Sequence, residues 1–159
     1  MKAILTGSFD PITIGHIEII KKARDYFEKL YVVALLNADK EYTFSLEEKK
    51  ELMELSLVGF DTVVVAAFDG LAADYMHMHG ISNIVRGIRN EQDKIYEQKL
   101  ADAMKKFDKN FETIFVESPK ELQHISSTCV RDKLKNGESI DGLVAESAKK
   151  RMIEIYSRK

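Results

Sequence analysis

Five short runs rich in β-branched and apolar residues recur along the chain, at 2–6, 30–36, 61–68, 83–87 and 111–116, with helically spaced stretches between them. This alternation constrains the fold more than any other feature. Strands separated by helices pair in parallel through right-handed crossovers, with the helices covering the sheet. The expected architecture is therefore α/β, a doubly wound five-stranded parallel sheet with helices on both faces. Residues 1–159 are expected to form one domain, a length that one hydrophobic core accommodates.

The helices announce their ends. Ile17, Ile20, Ala23, Arg24 and Phe27 make a stripe after Gly15, and Ser45-Leu-Glu-Glu48 reads as a capping box. Gly80 closes a helix over 71–79, a longer helix spans 91–107, another starts near Ser126, and 145–158 is a terminal amphipathic helix suited to packing or to contact between chains. In "SLEEKKELMEL", Leu46, Leu52, Met53 and Leu55 supply the buried face, and the charged residues are expected on the solvated one.

In a sheet of this kind ligands sit outside the carboxyl ends of the strands, where strand order reverses. The connection leaving the first strand, "TGSFDPITIGH" (6–16), carries two glycines, a proline and a histidine. Gly7 lets backbone N–H groups approach an anion, Ser8 adds a hydroxyl, Pro11 stiffens the turn, and Gly15-His16 fall in the first turn of a helix, where unpaired N–H groups attract phosphate. The pattern is neither a Walker loop nor a dinucleotide fingerprint. His16 lies in a surface loop on this reading, so its removal is expected to leave folding untouched.

Later loops on the same edge add cations. Lys40 follows the second strand, Arg86 and Arg89 flank Gly87 and Ile88 after the fourth, and Ser126-Ser-Thr128 opens a helix that carries Arg131 one turn on. Such a cage suits an anionic ligand held by a few placed cations. Lys and Arg total 24 against 26 Asp and Glu, a net charge of -2, which argues against nucleic acid or an anionic membrane surface as partner. No run is long and apolar enough to span a bilayer, the N-terminus lacks the pattern of a signal peptide, and Cys129 is the single cysteine, so a cytoplasmic protein without an internal disulfide is expected. His77 and His79 stand two apart on a helix and do not face each other, so no metal site is assigned to them.

These residues resemble a known family. Gly7-Ser-Phe-Asp-Pro11 with Gly15-His16, and Ile125-Ser-Ser-Thr-Cys-Val-Arg131, are similar to the two motifs of the (T/H)xGH nucleotidyltransferases. Asn37, Lys40, Phe44, Glu47-Glu48 and "VRGIR" followed by Asp93 and Tyr96-Glu97 narrow the resemblance to the bacterial phosphopantetheine adenylyltransferases, over nearly the whole chain. The resemblance implies a Rossmann-like fold, ATP and 4′-phosphopantetheine as substrates, Mg2+ as cofactor, and homo-hexamers built from two trimers.

Residue by residue, the resemblance implies that His16 is catalytic and stabilises the transition state at the α-phosphate. Ser8, Lys40, Ala72 and Arg86 would meet phosphopantetheine. Ser8, Phe9, His16, Gly87, Ile88, Arg89, Glu97 and the stretch Leu122, Gln123, His124, Ile125, Ser126, Ser127 and Thr128 would meet ATP. Leu122 and His124 depart from the aromatic residues many members carry there, Ala72 replaces a larger apolar residue, and Ala103-Met104 replaces a Met-Asn pair. Other members of the superfamily, such as nicotinate-mononucleotide adenylyltransferases, share the outer motifs, and a non-catalytic nucleotide-binding module would keep the cage. A group placed at the α-phosphate argues for the enzyme.

Overall fold

Residues 1–159 are described by a computed structural model. The apolar runs form strands β1 (Lys2–Gly7), β2 (Lys29–Leu35), β3 (Val63–Phe68), β4 (Asn83–Ile88) and β5 (Glu112–Glu117), within two residues of the expected ends. All pair in parallel, in the order β3-β2-β1-β4-β5. Between and after them lie α1 (Ile14–Arg24), α2 (Leu46–Ser56), α3 (Ala72–His79), α4 (Glu91–Phe107), α5 (Ser127–Lys135) and α6 (Glu146–Ser157).

The two-residue period of the strands sorts the core. Ala3, Leu5, Leu30, Val32, Ala34 and Val85 point to one face and meet Ile17, Ile20 and Ala23 of α1 and Met53 of α2. Ile4, Tyr31, Val33 and Ile84 point to the other and meet Ala73, Tyr75 and Met76 of α3, with Met104 of α4 half-buried beside them. The sheet is thus covered on both faces, as a parallel sheet requires. The terminal helix α6 packs on α2 instead of on the sheet, burying Met152 and Ile155 with Leu52 and with Val130 of α5 in a smaller outer core.

Caps fix where the helices begin. Ser45 accepts from Glu48 N–H while the Glu48 carboxylate accepts from Ser45 N–H, the reciprocal box read from the sequence. Gly80 ends α3 in the left-handed region at φ 64°. Two details differ from expectation. Phe27 is buried but lies past the end of α1, and Arg24 rests its guanidinium on the Phe60 ring at 4.4 Å. In α2 the charged face is not wholly solvated, because Lys49 lies buried with Leu52, Met53 and Ser56 on the helix's inner stripe.

The chain walks outward from β1 to β3, then crosses back to place β4 beside β1. Strand order reverses between these two, so the crevice opens where Gly7 and Ile88 end.

Candidate active site

Two cavities flank that reversal. The first, about 420 Å³, is lined by Phe9, Gly15 and His16 from the first loop and α1, by Gly87, Arg89 and Glu97 from β4 and α4, and by Leu122, Ile125, Ser126 and Ser127 from the loop opening α5. Its volume lies in the range of small-molecule sites. The second, about 580 Å³, is lined by Ser8, Asn37, Lys40, Tyr42, Leu71 and Ala72. Thr6, Gly7 and Arg86 belong to both. A third, apolar cavity of about 220 Å³ continues from Thr6, Ala72 and Arg86 between Met76, Leu100 and Met104.

The N-termini of α1 and α5 line the first cavity, which brings two positive dipole ends to one place, while α4 contributes Asp93 from its first turn. Such an arrangement favours an anionic ligand. Gly87 lets Ile19 of α1 pack close on β4: a Cβ there would meet Ile19 Cδ1 at 2.2 Å, so the end of that side chain would have to move. Gly7 leaves room for the Phe9 ring, which a Cβ would approach to 3.3 Å.

His16 is set by its own helix. Thr13 is the N-cap of α1, and its backbone N–H donates to His16 Nδ1 at 3.0 Å while His16 N–H donates to Thr13 Oγ1. The box normally takes Glu or Gln at this third position, and here a histidine fills it. Because Nδ1 accepts, the neutral ring carries its proton on Nε2, and that donor is left for the cavity. The edge of the Phe9 ring packs on the imidazole with centroids 4.9 Å apart. Phe9 holds φ 44°, a left-handed conformation that non-glycine residues adopt at a cost when the surroundings demand it. Burial, with the Arg89 charge adding to it, pushes the imidazole down to about 4 from 6.5.

A stability consequence follows. Below pH 6.5 the unfolded chain protonates His16 and the folded one resists down to about 4, so the stabilisation present above 6.5 is lost as pH falls through that window. At pH 5 the loss amounts to about 2 kcal/mol. Urea unfolding of the parent and of His16→Ala at pH 7.5 and pH 5 checks this: the parent should lose its advantage at the lower pH, and a gap indifferent to pH would contradict the burial of the ring.

The cations behave less uniformly than their sequence positions imply. Lys40 is exposed on the wall of the second cavity, and its ammonium makes no hydrogen bond or ion pair. Arg89 has Nε and its backbone N–H on Asp93, an anchor that leaves the outer guanidinium nitrogens for the cavity. Arg86 is committed inside the protein: Nε and Nη2 hold the two oxygens of buried Glu97 at 2.7 and 2.9 Å, and Nη1 reaches Thr6 O and Oγ1. One N–H of its five remains for a ligand. Arg131, grouped with the cage by the sequence, lines neither cavity. Its Nη1 donates to Asp10 O at 2.8 Å and its Nη2 to Thr128 Oγ1.

Of the stretch 122–128, Leu122, Ile125, Ser126 and Ser127 reach the cavity wall, whereas Gln123, His124 and Thr128 do not. Gln123 instead donates to Ser118 O, and His124 and Thr128 are exposed. Ile88 is buried, with its carbonyl accepting from Ser118 N–H. His77 pairs with Asp108 and His79 stacks on Tyr75, each occupied away from the crevice.

Three residues were missed. Thr13, 1% exposed, orients His16, and the T-x-x-H spacing before an apolar stripe was its visible sign. Asp10, 3% exposed, ties the first loop to the Lys40 loop by accepting from Thr43 N–H and Phe44 N–H, each at 2.9 Å. Lys49 is the third, marked by its place on the i, i+3, i+4, i+7 stripe.

The cytidylyltransferase-like family matches residues 4–133 of the chain. A relative named phosphopantetheine adenylyltransferase, from Symbiobacterium thermophilum, is 37% identical over 158 residues, covering 99% of this chain and 98% of its own. The solved structure of a putative nicotinate-nucleotide adenylyltransferase from Vibrio parahaemolyticus superposes with a TM-score of 0.72 at 13% identity, covering 99% of this chain and 96% of that one. A bifunctional NMN adenylyltransferase/ADP ribose pyrophosphatase from Francisella tularensis gives 0.70 at 18% identity over 98% of this chain and 51% of its own. Its complex with AMP and a manganese ion gives 0.66, likewise at 18% identity, over 99% of this chain and 51% of its own. At these identities the solved structures speak for the fold.

Proposed function

The chain belongs to the cytidylyltransferase-like family, and on that premise we propose that it moves the AMP part of ATP onto 4′-phosphopantetheine, giving 3′-dephospho-coenzyme A and pyrophosphate. The observation that carries this reading is the shared wall of Thr6, Gly7 and Arg86, with His16 in the cavity on one side and Lys40 in the cavity on the other. Two anionic substrates held there would meet end to end. Residues 1–159 act as one nucleotidyltransferase domain.

ATP occupies the first cavity, its phosphates on the N-termini of α1 and α5 and on Arg89, with Leu122 and Ile125 beside the base. The acceptor phosphate meets Lys40 and Ser8 in the second cavity, and its pantetheine arm follows Ala72 into the apolar third. A phosphate oxygen attacks the α-phosphorus, a P–O bond forms, and the bond to the β-phosphate oxygen breaks to release pyrophosphate. The acceptor is already ionised at neutral pH, so no general base is required, and positioning and electrostatics dominate. His16 Nε2–H donates to an α-phosphate oxygen as charge builds there.

The nucleotide brings a divalent cation, Mg2+ in this reading. No three His, Cys, Asp or Glu side chains gather into a cage for it. The cavity carboxylates are engaged as well, Glu97 on Arg86 and Asp93 on Arg89. The triphosphate and water would therefore supply most of its ligands, and its charge would offset that of the phosphates.

Contact between copies, as a homo-hexamer requires, is supported by α4, which has 17 residues but buries only Glu97 and presents Ile95 and Phe107 to the outside, each about 60% exposed. No helix is long and apolar enough to cross a membrane, in keeping with a cytoplasmic enzyme.

Pyrophosphate release tests the substrate class. ATP with 4′-phosphopantetheine should turn over, while ATP with nicotinate mononucleotide and CTP with glycerol 3-phosphate should not. Turnover with either of the latter pairs in place of the first would refute the assignment.

A further inference from the structure

Lys49 is a lysine where the core calls for an apolar side chain. It is 1% exposed on the inner stripe of α2, and its Nζ is the one buried side-chain nitrogen or oxygen without a hydrogen-bond partner. A desolvated, unpaired ammonium destabilises a fold, and a methionine would complete the stripe without it. Hydrogen bonding does not explain the residue. Asp10 is near enough to feel its charge but gives its oxygens to Thr43 and Phe44. What Nζ touches is the face of Tyr42, 3.5 Å from the ring centroid.

Tyr42 carries this contact outward. Its hydroxyl accepts from Asn37 N–H at 3.0 Å, Asn37 O accepts from Lys40 N–H at 3.0 Å, and Asn37 Oδ1 accepts from Asp39 N–H at 3.0 Å. Tyr42, Asn37 and Lys40 all line the second cavity. The turn bearing Lys40 therefore rests on one ring, and that ring rests on a buried cation.

We propose that Lys49, acting through Tyr42, is a positioning residue that holds the Lys40 turn in register for the acceptor phosphate. This rests on the reading of Lys40 as the contact for that phosphate. A polarised ring fixed from beneath sets both the height and the tilt of its hydroxyl, and hence where Asn37 and Lys40 stand. Neither Lys49 nor Tyr42 touches the first cavity, so ATP is outside their reach.

Steady-state kinetics with ATP and 4′-phosphopantetheine on Lys49→Met, Lys49→Arg, Tyr42→Phe and Lys40→Ala tests the inference. Lys49→Met and Tyr42→Phe should each raise the KM for the acceptor roughly tenfold, the scale of one lost ordering contact, with kcat and the KM for ATP near the parent values. Lys49→Arg, whose guanidinium also stacks on an aromatic face, should restore most of the loss. Tyr42→Phe removes one oxygen from a half-buried ring and keeps the test open should Lys49→Met fail to fold. Parent-like acceptor KM in Lys49→Met and Tyr42→Phe, alongside a raised one in Lys40→Ala, overturns the positioning role alone. A rise in the KM for ATP in step with that for the acceptor overturns it as well, in favour of general loosening. Parent-like acceptor KM in Lys40→Ala overturns the Lys40 reading itself and this inference with it.

Discussion

His16→Ala should lower kcat by roughly 10²–10³-fold and leave the KM for ATP nearly unchanged, the signature of losing one preorganised donor aimed at developing charge. The donor is preorganised by the start of α1: Thr13 N–H holds Nδ1, Phe9 packs on the ring, and Nε2–H is left for the cavity. Burial and the Arg89 charge, which push its pKa down to about 4, favour the neutral imidazole, and that form donates from Nε2–H without a proton having to arrive first. The ground-state triphosphate would keep the N-termini of α1 and α5 and Arg89, so its affinity should be spared. The variant is not structurally silent, however. Losing the reciprocal partner of the Thr13 cap should cost about 1 kcal/mol at neutral pH, visible as a lower urea midpoint. Turnover at the parent rate in the folded variant would reduce His16 to a capping residue, and loss of ATP binding would make it a ground-state ligand and favour a binding module.

Lys40→Ala should weaken acceptor binding by about 1.5–3 kcal/mol, the range for a charge-assisted contact, or roughly 10- to 150-fold in affinity. Its ammonium is exposed and unpaired, so no internal partner must be surrendered before it meets a phosphate. ATP affinity should hold, because the second cavity shares only Thr6, Gly7 and Arg86 with the first. Calorimetry with each substrate alone separates the two. Equal losses for ATP and acceptor would mean that Lys40 serves the site's overall charge and not the acceptor phosphate.

Much of the framework was legible beforehand. The strands fall within two residues of their apolar runs and α4 spans the residues its pattern marked, since β-branched content, periodicity and caps act over a few residues. The crevice was legible too, because parallel strands joined by helices bring every strand-to-helix loop to one edge. His16, Arg89, Ser126 and Ser127 reach the first cavity for that reason, and Lys40 the second. Arg131 shared their edge and still turned away, drawn to the Asp10 carbonyl across 121 residues of sequence.

The sequence by itself thus determined the parallel α/β sheet, the edge where the chemistry sits and most of the residue types brought there, because each depends on neighbours within a turn or a strand. Only the tertiary structure decided what each charge faces. Arg86 spends its donors on Glu97 and Thr6, Asp10 joins two loops 33 residues apart, and Lys49 goes inward beneath Tyr42. Long charged side chains read as surface in any hydropathy pattern, and a burial that depends on partners from distant elements is set only when those elements pack.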